Sequence, residues 1–261
     1  MSTAVYDRIG KTYDLTRQAD PDILARILHH LHPHPQDVYL DVGCGTGNYT
    51  TALHNNGVNI CGLDISREML SKAQKKNAEI TWVLGDAKAL PFPDSTFGGA
   101  TCTLATHHIK DLKTAFREVY RVMNSGAFVI LAILPEQVEA LWLKAYFPSM
   151  MHDTIDSLCG FEAISQALAQ AGFKNISYEK FSIAEDTCDL FLAAGKNKPE
   201  LYLDPNVRAG ISSFALCQNQ QEIDAGLERL RKDIDSGKIH EIIKAHEFDL
   251  GDYVFVVSHK Q

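Results

Sequence analysis

Three acids stand within or at the ends of short apolar runs in the first third of the chain. Asp41 lies inside VYLDVG, Asp64 closes GLD, and Asp86 closes VLGD. Behind the first, three glycines alternate as Gly43, Gly45 and Gly47 in LDVGCGTGNYT. Carboxylates accept hydrogen bonds from hydroxyl and amino groups. Glycines let a strand-to-helix turn adopt positive φ and bring backbone close to a ligand. N–H groups at the start of the following helix favour negative charge. The pattern points to a nucleotide-like ligand.

The spacing narrows which ligand. A dinucleotide fingerprint reads GxGxxG. Here it is GxGxG, with Asn48 at the next position. Asp41 is an in-strand acid, suited to a cationic or amine-bearing group rather than a pyrophosphate. Asp64 follows Gly47 at the end of the next apolar run, where an acid can accept both ribose hydroxyls and disfavours a 2′-phosphate. Asp86 can accept from an exocyclic amine, and Ile65 and Met69 can sandwich a purine ring. Cys44, inside the turn, reads as a small buried filler, with no base partner visible.

The elements that must position these residues alternate in period. Runs at 38–43, 58–65, 80–86, 97–106 and 126–134 read as strands. Helices are expected over 46–56, from Ser66 to about 77, and along the stripe Leu112, Ala115, Phe116, Val119, Tyr120 and Met123. GAFVILAIL has almost no polar residue, as a central parallel strand requires. The implied fold is a doubly wound α/β sheet with the ligand beyond the strands' carboxyl ends. Later, Val138, Leu141, Trp142, Ala145 and Tyr146 suggest one amphipathic helix closed by Pro148. Residues 161–171 suggest another, stopped by Gly172. Strands follow at 174–183 and 252–260, separated by a mostly helical stretch over 186–250.

Four stretches together resemble the class I S-adenosylmethionine-dependent methyltransferases, nearest the ubiquinone and menaquinone C-methyltransferase group. They are LDVGCGTGNYT, GLDIS…ML, GDAKALPFPDSTF and TLATHHIKDLKTAFREVYRVMNSGAFVI. The resemblance runs from about residue 6 to 183. It implies a seven-stranded, Rossmann-like sheet of order 3-2-1-4-5-7-6 with strand 7 antiparallel. It implies that Gly43, Gly45 and Gly47 pass beneath the methionine part of S-adenosylmethionine. Asp64 would take the ribose hydroxyls, Asp86 and Ala87 the adenine amine, Ile65 and Met69 the ring, and Leu104 backbone near the amino group. Asp41 would order the cofactor site. YDRIGKTYDLTR resembles a helix of this group that folds over the cofactor, with Tyr13 near the sulfonium and Arg17 near cofactor or substrate. The layout expected is a single domain over 1–261, with a lid helix over 1–19 and cap segments at 135–160 and 186–250.

A sulfonium methyl is already activated, so the protein mainly aligns the reactants and excludes water. A base is needed only for an acceptor that keeps its proton. His107 is the candidate, although the pair His107–His108 reads more readily as structural support at a strand end. Trp142, Tyr146, Phe147 and Met150 divide evenly between core and substrate pocket.

Composition sets the limits. The 261 residues carry 25 Lys plus Arg against 33 Asp plus Glu, a formal charge of −8. That opposes extensive nucleic-acid contact. No apolar run is long enough to span a membrane. The six cysteines form no CxxC pair, and no metal-ligand spacing stands out. The reading is a cytoplasmic enzyme methylating a small, partly apolar molecule, of open oligomeric state. Three rivals are an RNA or protein methyltransferase, a non-catalytic cofactor-binding relative, and an NAD-dependent oxidoreductase. The first lacks a basic tract and an NPPY-type motif. The last lacks the third fingerprint glycine.

Overall fold

A computed structural model describes residues 13–261; most of the expected helix over 1–19 lies outside the described residues. The strands are β1 (Tyr39–Val42), β2 (Ile60–Asp64), β3 (Trp82–Leu84), β4 (Gly99–Thr103), β5 (Gly126–Ala132), β6 (Lys174–Phe181) and β7 (Tyr253–Lys260). They form one sheet in the order β3-β2-β1-β4-β5-β7-β6. The first five pair in parallel, and β7 runs antiparallel to both β5 and β6. This is the Rossmann-like order expected, including the reversed strand.

The helices are α1 (Tyr13–Thr16), α2 (Pro21–Leu31), α3 (Asn48–Asn55), α4 (Arg67–Lys76), α5 (Leu112–Val122), α6 (Pro135–Ala140), α7 (Pro148–Ser157), α8 (Phe161–Ala171), α9 (Pro205–Gly210), α10 (Ser212–Leu216), α11 (Gln220–Asp235) and α12 (Ile239–Ala245). Among the described residues no helix is long and apolar enough to cross a membrane.

β5 shows why its sequence has no polar face. Successive strand side chains point to opposite faces. Val129 and Leu131 join the core beneath α2 and the later helices, while Phe128 and Ile130 join the core beneath α5 and α8. The expected stripe on α5 faces that second core: Phe116 is buried edge-on against Phe128, with ring centroids 5.4 Å apart. Truncating such a ring to alanine costs about 3–5 kcal/mol.

Local signals set most helix ends. Ser66 accepts the Met69 N–H to cap α4, and Asp20 accepts those of Asp22 and Ile23 to cap α2. Gly172, at φ 111°, ends α8 while the Phe173 N–H returns to Leu168. The helix expected through Tyr146 is broken. Leu141 is extended at ψ 134°, leaving α6 and a separate 3-10 turn at Trp142–Ala145. Pro148 opens α7 rather than closing a helix, because proline's fixed φ suits a first turn. The first-turn N–H groups of Ser149 and Met150, which have no partner within the helix, both donate to Glu222 of α11, at 3.0 Å each. Trp142, Tyr146, Phe147 and Met150 are all buried in the core, and Met150 also lines a cavity.

Candidate active site

The parallel strands end together at one edge of the sheet, and the glycine turn leaves β1 there. Gly43, Gly45 and Gly47 all have positive φ, at 72°, 55° and 74°. The N–H groups of Gly43 and Cys44 both donate to the Leu63 carbonyl, tying the turn to β2. A Cβ on Gly45 would meet nothing within 4 Å, so this part of the turn faces open space. Gly47 differs. It is the N-cap of α3, and a Cβ there would run into the Trp82 ring. Gly47 does not line the cavity that the rest of the turn lines. Its lack of a side chain serves the approach of β3.

Asp41 is buried beneath the turn. It accepts the hydroxyls of Thr50 at 2.6 Å and Thr101 at 2.8 Å, the latter its register partner on β4. Burial pushes its carboxyl up to about 6, against the pull of those two hydroxyls. Asp64 stands at the end of β2 and accepts the N–H groups of Gly45 and Ser66, each at 2.8 Å. Burial raises its carboxyl as well, offset by these backbone donors. Beyond β3, Asp86 accepts the Lys88 N–H at 2.9 Å and stays partly exposed.

These residues enclose a cavity of about 250 Å³. Tyr13, Arg17, Asp41, Gly43, Gly45, Asp64, Ile65, Met69, Asp86, Ala87 and Leu104 all line it. Ile65 is 51% exposed and Met69 is buried, so one apolar wall is open on the cavity side. Leu104 follows β4 at φ 51°, uncommon for a non-glycine residue and costly for a bulky one. The burial of Cys44 pushes its thiol well above the ordinary thiol range, leaving it inert.

A second cavity, of about 230 Å³, abuts the first. Both are lined by Tyr13, Arg17, Leu104 and His108. The second has walls from Ile133, Met150, Leu158, Phe191, Ile211 and Leu216, and hydroxyls from Thr154, Ser212 and Ser213 among others. His107 lines the second cavity only. Burial, reinforced by the charge of Arg17, lowers its imidazole to about 4. Burial also pushes His108 well below 6.5, with His107 adding to the shift. Both rings are therefore neutral at physiological pH.

Above the junction, residues 13–20 are held from two sides. Towards the turn, Thr46 donates to Asp14 at 2.6 Å and the Asn48 amide donates to the Arg17 carbonyl at 2.9 Å. Towards the stretch after β6, the Leu190 N–H donates to the Thr16 carbonyl at 2.9 Å, and Thr187 donates to Asp20 at 2.8 Å. The guanidinium of Arg17 forms an ion pair with the buried Asp189 and donates to the Gly210 carbonyl at 3.3 Å. Asp189 also accepts the Tyr49 hydroxyl at 3.0 Å. Arg17 lies 4.9 Å from the Tyr13 ring centroid and 5.6 Å from that of Phe191. Sequence reasoning missed Asp189, Phe191 and Ile211. They come from stretches with no motif, and no local signal marks them.

The comparisons with known proteins follow the same outline. Residues 40–131 match the family described as methyltransferase domain. A malonyl-[acyl-carrier protein] O-methyltransferase of Serratia marcescens is 29% identical over 131 residues, covering 50% of this chain and 51% of that one. A demethylmenaquinone methyltransferase of Bacillus licheniformis is 30% identical over 169 residues, covering 55% of this chain and 73% of its own. The chain thus spans about half the length of the malonyl-[acyl-carrier protein] relatives it matches. A crystal structure from Anabaena variabilis ATCC 29413, described as a methyltransferase from an antibiotic biosynthesis pathway, superposes with a TM-score of 0.83. It is 32% identical, with 93% of this chain and 98% of that chain covered.

Proposed function

This chain belongs to the S-adenosylmethionine-dependent methyltransferases, and from that premise we propose that it transfers a methyl group to a small, partly apolar acceptor. One observation carries the proposal: a cavity built from the glycine turn and three acids shares four residues with a second, largely apolar cavity. A two-substrate transfer needs such a junction, because both reactants must meet with water kept out.

The first cavity fits the cofactor on its own chemistry. Gly45 leaves open space where a side chain would intrude. Asp64 offers an acceptor-only group beside it, and the exposed Ile65 offers an apolar surface for a purine. When bound, S-adenosylmethionine supplies a methyl group already activated on sulfur. In this reading Asp64 accepts the ribose hydroxyls, and Asp86 with the Ala87 N–H serves the adenine amine. Ile65 and Met69 flank the ring. Gly43, Gly45, Asp41 and the Leu104 backbone order the methionine end. Tyr13 and Arg17 close over it, as the described part of a lid. The segments 135–160 and 186–250 act as the cap of a single domain.

The second cavity takes the acceptor. Its volume and its walls support a compact, partly apolar molecule, and the formal charge of −8 gives a nucleic acid little to bind. His107 is the candidate base. An imidazole held near 4 is neutral but weakly basic, so it suits an acceptor whose proton is already acidic. His107→Asn would then lower turnover while leaving cofactor affinity alone.

Isothermal titration with S-adenosylmethionine and S-adenosylhomocysteine tests the first half of the proposal. Binding of both at micromolar concentration is expected. No heat from either at high micromolar concentration would overturn it.

A further inference from the structure

Arg17 presents a difficulty. Among the described residues it is the one permanently charged residue common to both cavities, and so sits where the cationic sulfur of the cofactor would arrive. Like charges at close range in a partly buried site repel strongly. Four observations bear on how the chain resolves this.

Asp189, 2% exposed at its side chain, lies directly against Arg17, with Nε to Oδ1 and a second contact of 3.4 Å to Oδ2. The pair is two-pronged, the geometry that guanidinium and carboxylate favour. The Tyr49 hydroxyl fixes Asp189 from the turn side. Among the described residues, the imidazoles of His108 at the junction and of His107 in the second cavity are held neutral by burial. Resting on the cofactor reading above, we propose that Asp189 is a positioning and charge-compensating residue: it cancels the charge of Arg17, so that a sulfonium is accepted at the junction of the two cavities.

Asp189 lies 172 residues from Arg17 along the chain, in the stretch between β6 and β7. The cap stretch would thus serve the cofactor as well as the acceptor. A pair that only braced the lid, or an Arg17 that held the cofactor's carboxylate, would serve both forms of the cofactor equally. Charge compensation would not, because the product S-adenosylhomocysteine has a neutral sulfur.

The test compares affinities of S-adenosylmethionine and S-adenosylhomocysteine by isothermal titration on the full chain, wild type and Asp189→Asn. The variant is expected to lose S-adenosylmethionine affinity about tenfold more than it loses S-adenosylhomocysteine affinity. Equal loss of both, or an unchanged ratio, overturns the inference. If Asp189→Asn does not fold, as judged by circular dichroism, Arg17→Met decides, titrated beside wild type from pH 6 to pH 9, because burial raises the Asp189 carboxyl and loss of Arg17 removes the charge that lowers it. The preference should then move towards S-adenosylmethionine, and a fixed ratio overturns the proposal. Failure of both variants to fold would make the pair a structural bridge and also overturn it. Wild-type protein that binds neither ligand would instead defeat the cofactor reading itself.

Discussion

Gly45 and Gly47 share a turn and a positive φ, yet alanine at the two positions should fail in different ways. Both replacements put a Cβ on backbone at φ 55° or 74°, costing about 1 kcal/mol each. At Gly45 nothing lies within 4 Å of the new atom. At Gly47 the Cβ would overlap the Trp82 ring, with Cζ3 at 2.9 Å and the Ala73 Cβ at 3.1 Å. Trp82 has little room to retreat, because its indole N–H donates to the Asn77 carbonyl at 2.8 Å. Overpacking of this kind adds about 1–3 kcal/mol. Gly47→Ala should therefore cost about 2–4 kcal/mol in a urea titration and Gly45→Ala about 1 kcal/mol. The order reverses for ligand. Gly45 faces the cavity, so Gly45→Ala should weaken S-adenosylhomocysteine about tenfold or more, whereas folded Gly47→Ala should bind nearly as wild type. Gly47→Ala as stable as Gly45→Ala, or Gly45→Ala with wild-type affinity, would refute the separation of roles.

Three further outcomes are expected. Asp41 titrates higher when folded than its ordinary value of 3.8, so its protonation favours the fold. That contribution is complete below pH 3.8 and disappears as pH rises through about 6. The gap corresponds to roughly 3 kcal/mol, so stability measured from pH 4 to pH 6 should fall less steeply in Asp41→Asn; an unchanged slope would contradict the assignment. Asp64→Asn removes a charged acceptor that the ribose would use, and should weaken S-adenosylmethionine and its demethylated product together by about tenfold or more. Loss of one without the other would place Asp64 elsewhere in the site. Cys61 and Cys102 are buried, and burial pushes both thiols up, Cys61 to about 12. Maleimide should leave both unmodified in the folded chain at pH 8, as read by peptide mass spectrometry; their rapid labelling would contradict the packing around β2 and β4.

The legible part of the site is the part written locally. The glycine turn, Asp64 and Asp86 each follow a strand within a few residues, so spacing along the chain stands in for spacing in space. Strand and helix alternation implied a doubly wound sheet, and the family resemblance alone implied its order. Gly47 shows the limit of motif reading. It satisfies the pattern, but its neighbour across the turn is Trp82, and only the packed structure reveals that. The stretch from Val138 to Tyr146 has helical spacing and four buried members, yet Leu141 breaks it. Periodicity reports which side chains are buried, not whether backbone hydrogen bonds continue. Asp189 and Phe191 were illegible for another reason. They reach Arg17 from the far end of the chain, and tertiary contacts at that separation leave no period to read.

The most direct measurement is turnover. The full chain would be incubated with methyl-labelled S-adenosylmethionine and a panel of small, partly apolar acceptors bearing acidic O–H, N–H or C–H groups. Release of S-adenosylhomocysteine and label in the acceptor would be followed by mass spectrometry. At least one acceptor should gain the label, and Ile211→Trp, which fills the second cavity, should abolish that transfer while cofactor binding persists. Tight cofactor binding with no label transferred to any acceptor, or transfer undiminished in Ile211→Trp, would contradict the two-cavity account.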